Sequence, residues 1–279
     1  MLCTMQELLV EAEEQNRAVG AFSVYSMEML KGIVQAAEEM ETPVILQIAE
    51  SRFPYAPFEI MAPAMRKIAE LSKVKMAVHL DHGLHIETIQ KALDYGFTSV
   101  MLDASSHPLD ENIRMTQKVL MIAKRYGASV ETEIGCVGGN EGMGDKKDNY
   151  THPEDVTKLL EAANVDALAV AIGNAHGNYK KKPDLQFDLL EQIHEEHAVP
   201  LVLHGGSGIS FADFRKTIDH GIRKINIATA NLNALSEAAK ECLEENSTAS
   251  YFQISERMTQ KVCVCTKEHI YVFNNQGEL

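Results

Sequence analysis

Three segments place a histidine where an apolar run gives way to glycine: His79-Leu80-Asp81-His82-Gly83, Asn174-Ala175-His176-Gly177 and Leu203-His204-Gly205-Gly206. A buried run that stops at a histidine and a small-residue turn reads as a strand delivering a side chain to a ligand site. Three imidazoles on one rim, with a fourth position open, are the ligand set of a catalytic zinc, so His82, His176 and His204 are the candidate metal ligands. Asp81 adjoins one of them. A carboxylate there can stay ionised near a cation and pass protons to a substrate oxygen, or it can only orient a histidine. Asp103 and Glu133, at the ends of two further runs, are candidates to orient or alternatively ligate the metal; the plainer reading of an acid at such a rim is a helix cap. Strand alternation puts His79 on the same face as Asp81, as a packed residue behind the site.

A second chemistry follows His204. Gly205, Gly206, Ser207 and Gly208 allow a tight turn with N–H groups facing outward, and Ser210 with Asp213 supplies an S-x-x-D helix start. Backbone donors at a helix start suit a phosphate. The next unit, Ile222 to Ile227, reads as a short strand broken by charged Arg223 and Lys224, leading into Asn226-Ile227-Ala228-Thr229 before a helix that begins near Ala230. Two successive loops thus offer anion-binding groups side by side. In an eight-stranded α/β barrel, a phosphate site is frequently built from the loops after the last two strands.

That placement requires six strands upstream. Short continuous apolar runs predict strands over 19–24, 43–48, 74–80, 99–102, 128–134 and 167–172, and apolar stripes at helical spacing predict helices over 27–39, 58–71, 86–95, 110–126, 153–163 and 185–196. With the two units above, the count is eight strand-helix pairs, so the predicted fold is α/β, a single (β/α)8 barrel over 1–279. An additional amphipathic helix over 5–16 is expected to cap the bottom of the barrel, and helices over 230–244 and 251–272 end the chain. The stretch 136–152 is rich in glycine and charge without any period, as expected of a functional lid or a disordered loop. Glu141 lies within it. A carboxylate on a lid reaches substrate only on closure, which suits a base that must not act in open solvent.

Composition narrows the partners. The 279 residues carry a formal net charge of -14, which argues against nucleic acid or an anionic membrane surface as a partner. A phosphorylated ligand must then be held by local donors and a metal rather than by the global field. The amino-terminal segment lacks the pattern of a signal peptide, and no apolar run reaches membrane-spanning length. Five cysteines without zinc-site spacing read as reduced thiols of a cytoplasmic protein, and Cys263 and Cys265 on a helix point apart.

Read together, HLDHG at 79–83, VETEIG at 130–135 followed by glycines at 138 and 139, AVAIGNAHG at 169–177, LVLHGGSG at 201–208 and KINIAT at 224–229 resemble the zinc-dependent class II ketose-bisphosphate aldolases. The resemblance runs in order from Ala21 to about Leu235. Ala228, where the long fructose-bisphosphate branch typically has aspartate, makes the chain more similar to the tagatose-bisphosphate branch. The resemblance implies that His82, His176 and His204 bind zinc and that Asp81 is the catalytic acid/base. It implies that Gly177, Gly205, Gly206, Ser207, Asn226, Ile227, Ala228 and Thr229 hold dihydroxyacetone phosphate, and that Glu141 serves proton transfer at the ketone's hydroxymethyl carbon. A monovalent cation, Na+ or K+, near the phosphate loops and a homo-oligomer, dimer or tetramer, are implied as well.

Three departures bear on the substrate. The family's F-N-x-x-N on the first strand is Phe22-Ser23-Val24-Tyr25-Ser26 here, and the second strand ends in Gln47-Ile48-Ala49-Glu50-Ser51-Arg52 instead of a small-residue turn. The D-P-R segment, whose arginine reaches a neighbouring subunit's far phosphate in fructose-bisphosphate enzymes, is Ser247-Thr248-Ala249. The expected substrate is therefore a ketose phosphate whose aldehyde product carries no terminal phosphate, with Arg52 or Arg257 as substitutes if the substrate is tagatose or fructose 1,6-bisphosphate. A non-catalytic phosphosugar-binding barrel is the second reading, and it would be expected to have lost a metal ligand or Asp81; all are present. A metal-dependent hydrolase is the third, and its common H-x-H pair on the first strand is missing.

Overall fold

A computed structural model describes residues 1–138, 150–179 and 181–275. Eight strands, β1 (Val19–Ser23), β2 (Val44–Ala49), β3 (Met76–Gly83), β4 (Ser99–Leu102), β5 (Ser129–Ile134), β6 (Ala167–Val170), β7 (Leu201–Leu203) and β8 (Ile222–Ile227), pair in parallel in sequence order. β8 closes on β1, with Ala21 beside Asn226. Every strand residue is buried, as expected when helices cover the outside and side chains fill the inside. The fold is the expected (β/α)8 barrel.

The outer ring consists of α2 (Met27–Glu39), α3 (Phe58–Leu71), α4 (Ile86–Asp94), α5 (Leu109–Ala123), α6 (Pro153–Ala162), α7 (Phe187–Glu196), α8 (Phe211–Asp219) and α9 (Thr229–Glu245). A further helix, α10 (Tyr251–Phe273), packs between α9 and α2. Its approach to α2 is close enough that a Cβ on Gly32 would stand 2.7 Å from the carbonyl oxygen of Thr259. None of the helices among the described residues is long and apolar enough to cross a membrane, and none of the five cysteines is joined in a disulfide.

Strand alternation divides the core in two. Leu46, Val78, Leu80 and Val100 face outward to the helices, whereas Ile45, Ala77, Met101, Ala169 and Val202 face the barrel axis. The short helix α1 (Met5–Glu14), started by a Thr4/Glu7 capping box, adds Met5, Leu8, Leu9 and Ala12 to that inner cluster. The amino end of the barrel is thereby plugged with apolar side chains. Towards the carboxyl end, the inward positions turn polar and remain fully enclosed: Gln47, His79, Asp81, Glu131, Glu133, Lys224 and Asn226.

Two sequence expectations are corrected here. β3 does not stop at residue 80 but runs to Gly83, so His82 lies within the strand and not past its end. Arg223 and Lys224 do not break β8. Both are buried in a continuous strand, Arg223 by a two-pronged pair with Glu13 at the end of α1 and Lys224 by acceptors inside the barrel.

Candidate active site

In a regular strand, Asp81 and His82 would point to opposite faces of the sheet. Instead, the pairing of β3 with β4 shifts register between Leu80 and Gly83, and His82 takes a left-handed backbone with φ of 43°. A bulge of this kind re-aims one side chain, and for a non-glycine residue the conformation persists only because its surroundings enforce it. Both residues consequently serve one site.

His82 Nε2 lies 3.1 Å from His176 Nε2 and 2.9 Å from His204 Nδ1. The outer nitrogens of two of these rings are committed: His82 Nδ1 is 2.8 Å from Asp103 Oδ2, and His204 Nε2 is 2.8 Å from Glu131 Oε1. A carboxylate accepts, so each outer nitrogen donates, and the neutral rings turn lone pairs toward one another. Lone pairs 2.9 Å apart repel unless a cation sits between them. This donor set fits a divalent metal, whose imidazole ligands stand at about 2.0–2.1 Å, with Asp103 and Glu131 as orienting carboxylates.

Without a metal, the surrounding carboxylates favour a proton in that place. Burial opposes charge on His82, yet Asp81, Asp103 and Glu133 overcome it and lift the ring to about 10. Burial, with His82 as a neighbouring positive charge, pushes His176 and His204 well below their usual range. Burial also opposes ionisation of Asp103, but the hydrogen bond to His82 and the bonds from Ser105 keep it below the usual carboxylate range. Glu133 goes the other way, to about 8, through burial and the nearby Asp103. His82, Asp103 and Glu133 also lie close enough to form an alternative metal cluster.

Asp81 is 1% exposed and accepts from two neutral amides, Gln47 Nε2 at 2.9 Å and Asn226 Nδ2 at 3.1 Å. Asn226 Nδ2 is also 3.3 Å from His204 Nδ1, so this amide spans from the carboxylate to the triad. Gln47 further donates to Ser23 Oγ. His79 is packed as expected, with Nδ1 on Ser99 and Nε2 3.6 Å from Glu131.

The two candidate phosphate loops are stitched together. Gly206 N donates to Asn226 O, and Ser207 Oγ accepts from Ala230 N in the first turn of α9. The β6 loop joins them where Tyr179 Oη accepts from Ala175 N and donates to Gly205 O. Gly205 has φ of 64°, and a Cβ there would stand 2.2 Å from Ala175 O, so no other residue fits. Ser210 caps α8 through Asp213 N, as its spacing predicts. Gly177 lies on the β6 loop, Ile227 ends β8, Ala228 is the N-cap of α9 and Thr229 its first residue. Asn226 is the exception among the candidates, since its side chain serves Asp81. Glu141 lies outside the described residues.

Sequence reasoning missed Glu131, Gln47 and Lys224. Parity was the available signal: Glu131 lies two residues before Glu133, and Lys224 two before Asn226, so each pair shares the inward face. Arg257 is held by Glu245 at 2.6 Å on the outer helices, whereas Arg52 sits in the turn directly after β2.

The family profile described as fructose-bisphosphate aldolase class-II matches residues 3–278. A probable fructose-bisphosphate aldolase of Bacillus subtilis is 42% identical over 246 residues, 87% of this chain and 86% of its own. A fructose-bisphosphate aldolase of Staphylococcus epidermidis is 38% identical over 250 residues, 88% and 87% of the two chains. The crystal structure of the YdjI aldolase from Escherichia coli K12 superposes with a TM-score of 0.86 at 33% identity, covering 98% of this chain and 97% of that one.

Proposed function

Because this chain belongs to the class II fructose-bisphosphate aldolase family, we propose that its reaction is the reversible cleavage of a ketose 1-phosphate into dihydroxyacetone phosphate and an aldehyde without a terminal phosphate. Membership makes it an aldolase, a carbon-carbon lyase that acts on sugar phosphates with a divalent metal. We assign that metal as zinc, held by His82 Nε2, His176 Nε2 and His204 Nδ1. The observation that carries the assignment is the convergence of these three nitrogens beside Asp81.

Bound there, the ion supplies Lewis-acid polarisation of the substrate's carbonyl. Asp81 takes the proton from the C4 hydroxyl as the C3–C4 bond breaks, and returns it during condensation. Gln47 and Asn226 keep the carboxylate aimed. The joined loops from Gly205 to Ser207 and Asn226 to Thr229, with Gly177, receive the donor phosphate at the start of α9, where backbone N–H groups and the helix dipole favour an anion. A Na+ or K+ ion beside these loops belongs to the same reading. Glu141 moves the proton at the hydroxymethyl carbon. Glu141→Ala should accordingly slow hydrogen exchange between dihydroxyacetone phosphate and solvent, and an unchanged exchange rate would remove it from the mechanism. The exposed Tyr251, Phe252 and Val264 on α10 support a homo-oligomer, and five cysteines outside any disulfide a cytoplasmic setting.

The far end of the substrate decides the specificity. Ser247-Thr248-Ala249 offers no cation, and Arg257 is spoken for by Glu245. A dianion without a charged partner forfeits charge-assisted bonds of about 1.5–3 kcal/mol each, roughly ten- to hundred-fold in specificity. In an assay of dihydroxyacetone phosphate release, kcat/KM for ketose 1-phosphates should equal or exceed that for tagatose and fructose 1,6-bisphosphates. The relatives named as fructose-bisphosphate aldolases favour a bisphosphate instead. A hundred-fold preference for one would establish that reading and point to a cation such as Arg52.

Proton release tests the metal assignment separately. The neighbouring carboxylates lift His82 to about 10, so the metal-free site is expected to hold a proton there at neutral pH and to release it on loading. Affinity for zinc should therefore rise about ten-fold per pH unit through the neutral range. Titration calorimetry in buffers of different ionisation enthalpy should find about one proton released per metal, and a value near zero would mean that His82 is no ligand.

A further inference from the structure

Lys224 Nζ is fully enclosed within the barrel, 2.8 Å from Glu131 Oε2 and 2.8 Å from Asn226 Oδ1. An ammonium can only donate, so both contacted atoms must be oxygens. Glu131 is thereby pinned by one oxygen, and its other oxygen, Oε1, lies 2.8 Å from His204 Nε2. That contact requires a hydrogen on Nε2, which leaves Nδ1 free to bind a cation. The chain of contacts is continuous from a buried cation to the electron pair that His204 offers the site.

We propose that Lys224 is a positioning residue: by pinning Glu131, it keeps the carboxylate aimed at His204 Nε2, and that acceptor fixes the tautomer in which His204 presents Nδ1 to the metal. The proposal rests on the metal assignment above but concerns a residue that touches neither metal nor substrate. Its consequence is a reversal between two substitutions. In Glu131→Gln, Lys224 claims the amide oxygen, so the NH2 group faces His204 Nε2, which must then accept; the hydrogen moves to Nδ1 and blocks the ligand. In Glu131→Gln/Lys224→Met, the amide is free to turn and offer its oxygen to His204, and the ligand nitrogen reopens. The double variant also leaves no unpaired charge in the core, which favours folding.

The test measures zinc affinity by chelator competition for both variants, together with 15N shifts of the His204 ring in the metal-free proteins. Glu131→Gln is expected to weaken zinc binding about 10- to 100-fold and to show hydrogen on Nδ1. The double variant should regain most of that loss and show hydrogen on Nε2. A double variant that binds no better than the single one, or a Glu131→Gln protein with wild-type affinity, overturns the role of Lys224. Wild-type protein that releases no proton and binds no zinc would instead overturn the underlying metal assignment.

Discussion

Asp81→Ala is expected to lower turnover by about a hundred-fold or more while zinc and dihydroxyacetone phosphate remain bound. The loss is that of a positioned general acid/base, which contributes roughly 10²- to 10⁴-fold. Asp81 is enclosed and held by the Gln47 and Asn226 amides, so water does not take over its place with the same aim. All three imidazoles remain in the variant, and two keep their own carboxylate partners, Asp103 for His82 and Glu131 for His204, which is why metal retention should survive. Asp81→Asn, of similar volume, separates chemistry from packing: kcat should fall with little change in KM for the ketose phosphate. Turnover within a few-fold of wild type would reduce Asp81 to an orienting group.

His204→Ala should abolish both metal retention and turnover. Two of the three imidazoles would remain, and a catalytic zinc normally needs three protein ligands. The change also leaves Glu131 without its imidazole partner, beside Lys224 and His79 alone, and Asn226 loses its contact with the triad. Metal content by mass spectrometry of the folded variant should fall to near zero, and added zinc should not restore activity. A purified variant with full metal and full rate would remove His204 from the site.

The barrel was legible because its strands are continuous apolar runs separated by striped helices. The rim histidines were legible because each is followed by glycine. The bulge that sends Asp81 and His82 to one site left no local mark: HLDHG reads as an ordinary strand end, and only pairing with β4 reveals the shift. Lys224 was misread because charge in a short strand looks like an interruption; in a barrel, the inward face near the carboxyl end is polar, and charges there pair across it. Gln47 was visible only as a departure from the family's pattern. Its use depends on β2 lying beside β3 with Ala49 level with Asp81, a register set by closure of the barrel and not by the neighbouring residues. Glu131 likewise finds His204 from two strands away.

The most direct test is anomalous diffraction at the zinc edge from crystals of the metal-loaded protein. A single peak is expected, about 2.0–2.1 Å from His82 Nε2, His176 Nε2 and His204 Nδ1, with Asp103 and Glu131 still on the outer nitrogens. A peak on the other side of His82, bound by Asp103 and Glu133 with His176 and His204 unligated, would contradict the account.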